Sequence, residues 1–311
     1  MALLEQGGFL VVDKPAGKTS HDIVGMARRA LHTREVGHTG TLDPFATGLL
    51  VLLTGALTRA ADLVGQGRKR YAATARLGVE TTTDDLTGEP VVSRPVHVTD
   101  AALAAALGGL TGSLRQVPPA FSAKHVDGER AHERARRGEA VELRANDVTV
   151  YAITLTARRG DELDLTVECS RGTYIRSLAR DLGRALGCGA HLAALRRTQV
   201  GPFSVDNAVA ADALSEGALH PAPELGALLP TVEIDEPGAT ELWQGKALRV
   251  CVVGGMAWGA GEGGLIRRGE ALVALATARC ALVPGQAAGA RELEVGRRFP
   301  APPSQASSAG N

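Results

Sequence analysis

Gly37-His38-Thr39-Gly40-Thr41-Leu42-Asp43-Pro44-Phe45-Ala46-Thr47-Gly48 reads as a loop, and it holds a single carboxylate in unusual company. Its three glycines open backbone conformations barred to other residues. Pro44 turns Asp43 away from the helical region and stiffens the chain behind it. Leu42 and Phe45 flank the carboxylate with apolar surface. Two readings fit this spacing: an active-site acid on a rigid loop, or a turn aspartate bonded to its own backbone.

The flanks supply regular structure. Phe9-Leu10-Val11-Val12 reads as a buried strand closed by Pro15 and Gly17. Thr19 or Ser20 caps a helix with Ile23, Ala27, Ala30 and Leu31 at helical spacing. Beyond the loop, Leu49–Leu53 is a second apolar strand and Tyr71 opens a third. Residues 99–107 suit a helix capped by Thr99. Val148–Thr156 and Leu163–Cys169 alternate as a hairpin across the Arg158–Asp161 turn. Ile175, Leu178, Leu182 and Leu186 give the next helix its apolar stripe. Opposite them Arg176, Arg180 and Arg184 repeat every four residues, a pattern that by itself describes a solvated face.

A composition shift falls at Pro221–Pro230. Past it, the short apolar runs Ala247–Val253, Ala271–Ala276 and Cys280–Val283 lie between glycines and predict a small β-rich domain. The expected division is therefore residues 1–229, residues 230–299 and a disordered, uncharged tail at 300–311. A length of 311 residues suits about two domains. There is no apolar run long enough for a membrane span and no secretory leader, so a cytoplasmic protein is expected. The four cysteines are widely spaced, which excludes a disulfide framework and a zinc knuckle; no metal and no cofactor are expected.

The formal charge of zero hides a segregation. Arg171 to Arg197 holds six arginines and one acid, Asp181, whereas Asp212 to Gly245 holds seven acids and no Lys or Arg. Further basic clusters lie at Arg68-Lys69-Arg70 and at Arg130, Arg134, Arg136 and Arg137. Such local fields attract phosphate even when net charge vanishes, although solvated helix faces look the same in sequence. Ala16-Gly17-Lys18-Thr19 imitates a phosphate-binding loop, but Val12 stands where that motif needs its first glycine, and Pro15 removes a backbone donor.

Asp-Lys-Pro-x-Gly-x-Thr-Ser-His at 13–21, followed by Gly-His-Thr-Gly-x-Leu-Asp-Pro-x-Ala-x-Gly-Leu-Leu at 37–50, resembles the bacterial tRNA pseudouridine synthase B family, TruB. Lys-Arg-Tyr (69–71), Arg-Leu-Gly (76–78), Gln-x-Pro-Pro-x-Phe-Ser-Ala (116–123), Cys-Ser-Arg-Gly-Thr-Tyr-Ile-Arg-Ser-Leu-Ala-Arg-Asp-Leu-Gly (169–183) and Leu-Arg-Arg-Thr (195–198) follow in family order. The resemblance implies a mixed α/β (α+β) pseudouridine synthase fold with a largely antiparallel sheet, and a small C-terminal PUA-like β-barrel that binds RNA. It implies isomerisation of the T-loop uridine at tRNA position 55, with the T-arm as partner, no guide RNA and a monomer.

The roles carried over are Asp43 as nucleophile, His38 holding the everted RNA, Tyr71 stacking on the target base, Tyr174 at the substrate, and Arg176 as the partner of Asp43. Lys14 is carried over as structural support. A scaffold that binds RNA without catalysis is the alternative, and the presence of Asp43, Tyr71 and Arg176 argues against it. Lys124, His125 and His132 depart from the family pattern in a segment expected to touch RNA.

Overall fold

The apolar runs at Phe9–Val12 and Leu49–Leu53 become neighbouring strands, β1 (Gly8–Lys14) and β3 (Thr47–Thr54), which run antiparallel with Leu10 opposite Leu52. A continuous run, rather than alternation, implies that both faces are covered. They are. Phe9, Val11, Leu49, Val51 and Leu53 point to one core, while Leu10, Val12, Leu50 and Leu52 point to another. Helix α1 (Ser20–Ala30) covers the second face with Ile23, Val24 and Ala27. Short β2 (Val36–His38) lies along β3. The computed structural model describes residues 7–122, 125, 126, 129, 130, 134, 137, 139, 143–227, 229–248, 251–254, 256–269 and 271–299.

The other half of the sheet is covered on one side only. Strands β4 (Lys69–Leu77), β7 (Glu162–Cys169) and β6 (Asn146–Arg159) lie side by side in that order across it, with β5 (Gly112–Gln116) at the edge. In β4 and β7 alternate residues are buried, as period-2 patterning requires. Their inner face packs on α2 (Asp100–Gly109) and α3 (Ile175–Ala185). Thr99 caps α2 by accepting the Ala102 N–H at 3.2 Å, as expected. The β6–β7 hairpin is present in the expected place, and Gly160 takes the left-handed conformation (φ 60°) that its turn needs.

No strand was expected at 190–200, yet β8 (Ala190–Val200) joins the two halves: it runs parallel to β3 and antiparallel to β4. The 11-stranded sheet is thus largely antiparallel. His191, Arg196 and Arg197 hid this strand, because they break apolar patterning on a segment whose polar groups have partners only in the folded molecule.

A second, six-stranded sheet has the order β13 (Ala287–Ala288), β10 (Cys251–Gly254), β9 (Thr231–Glu233), β11 (Gly263–Arg268), β12 (Ala271–Ala278), β14 (Leu293–Arg298). Its two end strands follow each other in the chain. Laid flat they would stand roughly 24 Å apart, five steps of about 4.8 Å. The link from Ala288 to Leu293 reaches about 19 Å at most, so the sheet curls toward a barrel. Helix α4 (Glu236–Trp243) packs against it. The run Cys280–Val283 forms no strand; Leu282 makes one bridge to Trp258. The tail at 300–311 lies outside the described residues.

The two sheets share one core. Leu265, Leu272 and Phe299 pack in the same cluster as Phe9, Leu49, Val51, Leu53, Leu57 and Leu63. Gly263 sits so close to Leu63 that an added Cβ would lie 2.5 Å from its Cδ1. The outer face of β1 and β3 is covered by this cluster, to which the helical turns at residues 55–64 and the C-terminal sheet both contribute. Two expectations follow. Leu265→Ala, at a position 1% exposed, should cost about 2–5 kcal/mol. Trp243 and Trp258, the two tryptophans of the chain, both lie in the C-terminal half. Their fluorescence should therefore lose native signal in denaturant at the same midpoint as backbone circular dichroism. Separate midpoints would mean that the shared core does not couple the halves.

Candidate functional site

The loop around Asp43 is held by side chains from three elements. Ser20, the first residue of α1, is 2% exposed; its Oγ donates to the Leu42 carbonyl (3.2 Å) and accepts the Leu42 N–H (2.9 Å). Lys14, at the end of β1, is fully buried and donates from Nζ to the carbonyls of Pro15 (2.9 Å), Lys18 (2.7 Å) and Pro44 (3.3 Å). The Gly17 N–H adds a bond to the same Pro44 carbonyl at 2.8 Å. Arg197 on β8 donates to Leu49 O (2.7 Å), Gly40 O (3.1 Å) and Thr41 O (3.5 Å). Residues 13–21 and 37–48 are therefore one device: the first segment clamps the second. The resemblance of Gly-Lys-Thr to a phosphate loop ends here, because the Thr19 hydroxyl caps α1 together with Asp22.

Asp43 meets Arg176 in a two-pronged pair: Nε to Oδ2 and Nη2 to Oδ1, both 2.9 Å. The pairing expected from sequence is present. The solvated stripe is not. Arg176 and Arg180 are buried, and only Arg184 of the three projects into water. The remaining donors of Arg176 go to Thr83 O (3.0 Å) and Phe121 O (3.0 Å), with Asp85 Oδ2 at 3.5 Å. Asp85 is itself buried, and its Oδ1 accepts from Thr83 Oγ1 (2.7 Å), Thr87 N (2.9 Å) and Thr87 Oγ1 (2.5 Å). Arg180 pairs with Asp84 (3.0 Å) and donates to Val117 O (2.9 Å). Burial raises the Asp43 carboxyl above the ordinary aspartate value, and the Arg176 guanidinium opposes this.

Tyr71 lies on β4, 6% exposed, opposite Arg197 on β8 and Val167 on β7. Burial raises its phenol pKa, while the nearby Arg197 charge opposes the rise. Tyr174 stands at the N-cap position of α3, two residues before Arg176, its backbone held at both ends by Gln116: Nε2 donates to Tyr174 O (3.0 Å) and Oε1 accepts Tyr174 N–H (2.8 Å). His38 stands half-buried at the end of β2, and its Nδ1 is buried without a partner. Burial, then Arg197 and His21, lower its pKa, so the ring is neutral near pH 7. Lys124 and His132 lie outside the described residues, and of His125 only the backbone is described, paired with Arg130.

Sequence reasoning missed Asp85, Asp84, Ser20 in its loop-holding role, and Arg197. The signal for the aspartates was Thr81-Thr82-Thr83-Asp84-Asp85 before Gly88, a cluster of residues that bond to local backbone. The Asp43 side chain is 31% exposed, against 5% for Arg176, so the carboxylate faces the opening and the guanidinium lies behind it. A cavity of about 790 Å³ flanks the loop, lined by Gly17, Pro44, Phe45, Leu86, Thr87 and Ala194 among others. A carboxylate aimed outward with its cation behind it suits nucleophilic attack on a bound substrate. Among the described residues no group of side chains is arranged to hold a metal ion.

Residues 28–175 match the family described as TruB family pseudouridylate synthase (N terminal domain), and residues 176–232 match the tRNA pseudouridylate synthase B C-terminal domain. The tRNA pseudouridine synthase B of Aromatoleum aromaticum is 46% identical over 271 residues, 85% of this chain and 88% of the relative. That of Corynebacterium aurimucosum is 50% identical over 258 residues, 79% of this chain and 85% of the relative. Among solved structures, a Cbf5-Nop10-Gar1 complex contains a chain that covers 96% of this one, with a TM-score of 0.72 and 24% identity over 87% of that chain. An H/ACA RNP bound to a substrate RNA containing 2'-deoxyuridine gives 0.70 and 23%, covering 96% of this chain and 86% of that one. At such identity these structures share the fold, and the coverage includes both sheets.

The clamp is testable without any assay of activity. Ser20→Ala leaves the Leu42 N–H and carbonyl unpaired in a buried place, which should cost about 1–3 kcal/mol in a denaturant titration. Hydrogen exchange at the Leu42 amide should accelerate beyond what that global loss explains. An unchanged Leu42 exchange rate would show that Ser20 does not hold the loop.

Proposed function

The chain belongs to the TruB family of pseudouridine synthases and converts uridine in tRNA to pseudouridine, and from that premise we propose that Asp43 is the nucleophile and that the target is the T-loop uridine at position 55. The observation that carries this reading is the two-pronged Asp43–Arg176 pair, with the carboxylate toward the opening. The reaction breaks the bond from N1 of uracil to C1′ of the ribose, turns the base and joins C5 to C1′. The C5 proton leaves and N1 gains one, so the product is an isomer. Asp43 attacks either the ring or C1′, and both routes need an ionised carboxylate.

Arg176 favours that ionised form, because protonating Asp43 would leave a buried guanidinium without its partner. A stacked base must leave its stack to arrive, at a cost of a few kcal/mol. Tyr71 would take the base on its ring; at 6% exposure, that ring is uncovered only when neighbouring side chains part. His38 would hold the displaced RNA backbone as a neutral donor, and Tyr174 would border the base. The proposal extends to a monomer acting on the T-arm without guide RNA. Residues 1–229 would carry the catalysis, and residues 230–299 would act as a PUA-like contact outside the T-loop. The acids expected to repel phosphate there are partly neutralised, since Glu233 pairs with Arg267 and Glu236 with Arg268.

Incubating the pure protein with an unmodified tRNA transcript, without other RNA, and mapping pseudouridine should give modification at position 55. Product at another site, or only with a guide, would replace this reading. Asp43→Asn should abolish product while tRNA affinity stays within about tenfold, roughly 1.4 kcal/mol. Arg176→Lys should also lower turnover strongly, because one ammonium cannot serve both carboxylate oxygens and two carbonyls in the plane of a guanidinium. Near-normal turnover in either variant would remove that residue from its role.

The pH profile provides a further check. Asp43 protonates at a pH above the ordinary aspartate range, because burial outweighs Arg176, so the rate should fall early on the acid side. Lys14 has its pKa lowered by burial to about 8; above that the ammonium gives up a proton and one of its three carbonyls loses its donor. Single-turnover rates should therefore decline again on the alkaline side of pH 8. A rate that keeps rising there would free the chemistry from Lys14.

A further inference from the structure

Arg197 is 2% exposed, and among the described residues no carboxylate pairs with it. Burying a guanidinium without a counter-charge costs several kcal/mol. A packed apolar side chain of similar volume would fill the place more cheaply. The positions of its donors indicate what the charge is for. They reach the carbonyls of Gly40 and Thr41, just ahead of Asp43, and of Leu49 at the start of the next strand. Gly48 packs on the Arg197 backbone; its φ is 102°, and an added Cβ would lie 2.2 Å from Arg197 O. On the other side of β8, Arg197 stands directly opposite Tyr71 in the antiparallel ladder with β4, so the two side chains share a face of the sheet. The Arg197 charge lies close enough to the Tyr71 phenol to oppose the rise in its pKa that burial causes.

We propose that Arg197 is a positioning residue that fixes the Asp43 loop and the Tyr71 ring relative to each other, so that carboxylate and ring meet the same base. The proposal rests on Asp43 and Tyr71 being the groups that meet the base. Arg197 itself touches no reacting atom, since β8 and the loop backbone enclose it. The parallel β3–β8 pair supplies the fixed frame, with Arg197 opposite Gly48. One residue thus bonds the loop carbonyls through its side chain and stands opposite Tyr71 in the ladder.

The test uses Arg197→Lys, which keeps the charge and loses the fork, and Arg197→Gln, which keeps two donors and loses the charge. The chain has three tyrosines, so fluorotyrosine incorporation gives three ¹⁹F resonances, with Tyr71 assigned through Tyr71→Phe. In whichever variant folds, the Tyr71 resonance should move while those of Tyr151 and Tyr174 stay. Single-turnover pseudouridine formation at saturating enzyme should fall at least tenfold, with tRNA Kd within threefold and circular dichroism unchanged. A Tyr71 resonance that stays in place overturns the coupling, whatever the rate does. A normal rate with a displaced resonance overturns the positioning role. A collapse of both variants to unfolded protein also overturns it, because Arg197 would then be needed for the fold itself. The resonance is read without turnover, so a failure of Asp43 as nucleophile is distinguished from a failure of Arg197.

Discussion

A guanidinium has five N–H groups in one plane and no acceptor, and a buried one must find a partner for each. Arg176, on helix α3, does so by gathering three distant parts of the chain: Asp43, Thr83 with Asp85, and Phe121. Each of these partners lies on a segment with little regular structure of its own. The cation therefore does more than neutralise a carboxylate; it assembles the site from loops. Removing one member of such a buried pair typically costs about 3–5 kcal/mol, because the other is left charged and unpaired. Asp85 and its threonine donors share the load, so the positive charge has two carboxylates to answer it while only Asp43 faces outward.

The rest of the architecture keeps that arrangement rigid. Helix α3 carries Arg176 and Arg180 on one side and Ile175, Leu178 and Leu182 on the other, so its apolar packing also fixes where the guanidinium points. The opposite wall is built on β1 and β3, whose apolar faces are both covered, one by α1 and the other by a cluster that includes the turns at residues 55–64 and the C-terminal sheet. Continuity of that core means that the C-terminal sheet supports the strand into which the Asp43 loop leads. Basic clusters that look in sequence like a surface for phosphate are partly spent on internal pairs. Arg68 and Arg70 share Glu168, while Arg134 and Arg137 share Glu139.

Local patterning by itself determined the two apolar strands, α1 with its Thr19 cap, the β6–β7 hairpin and the apolar stripe of α3, because each depends on residues near one another in the chain. Ordered motifs marked Asp43 and Arg176 as partners although 133 positions separate them. What patterning left open was whether an arginine repeat faces water or a carboxylate, since both have the same spacing. Burial decides between them, and burial is a property of what packs on top. For the same reason β8 escaped notice: its arginines are acceptable in a central strand only because Asp13 and the loop carbonyls are there to receive them. Tertiary structure alone placed Asp85 behind Arg176 and Arg197 beneath the loop, because an uncompensated buried charge becomes tolerable only when distant backbone carbonyls and carboxylates converge on it.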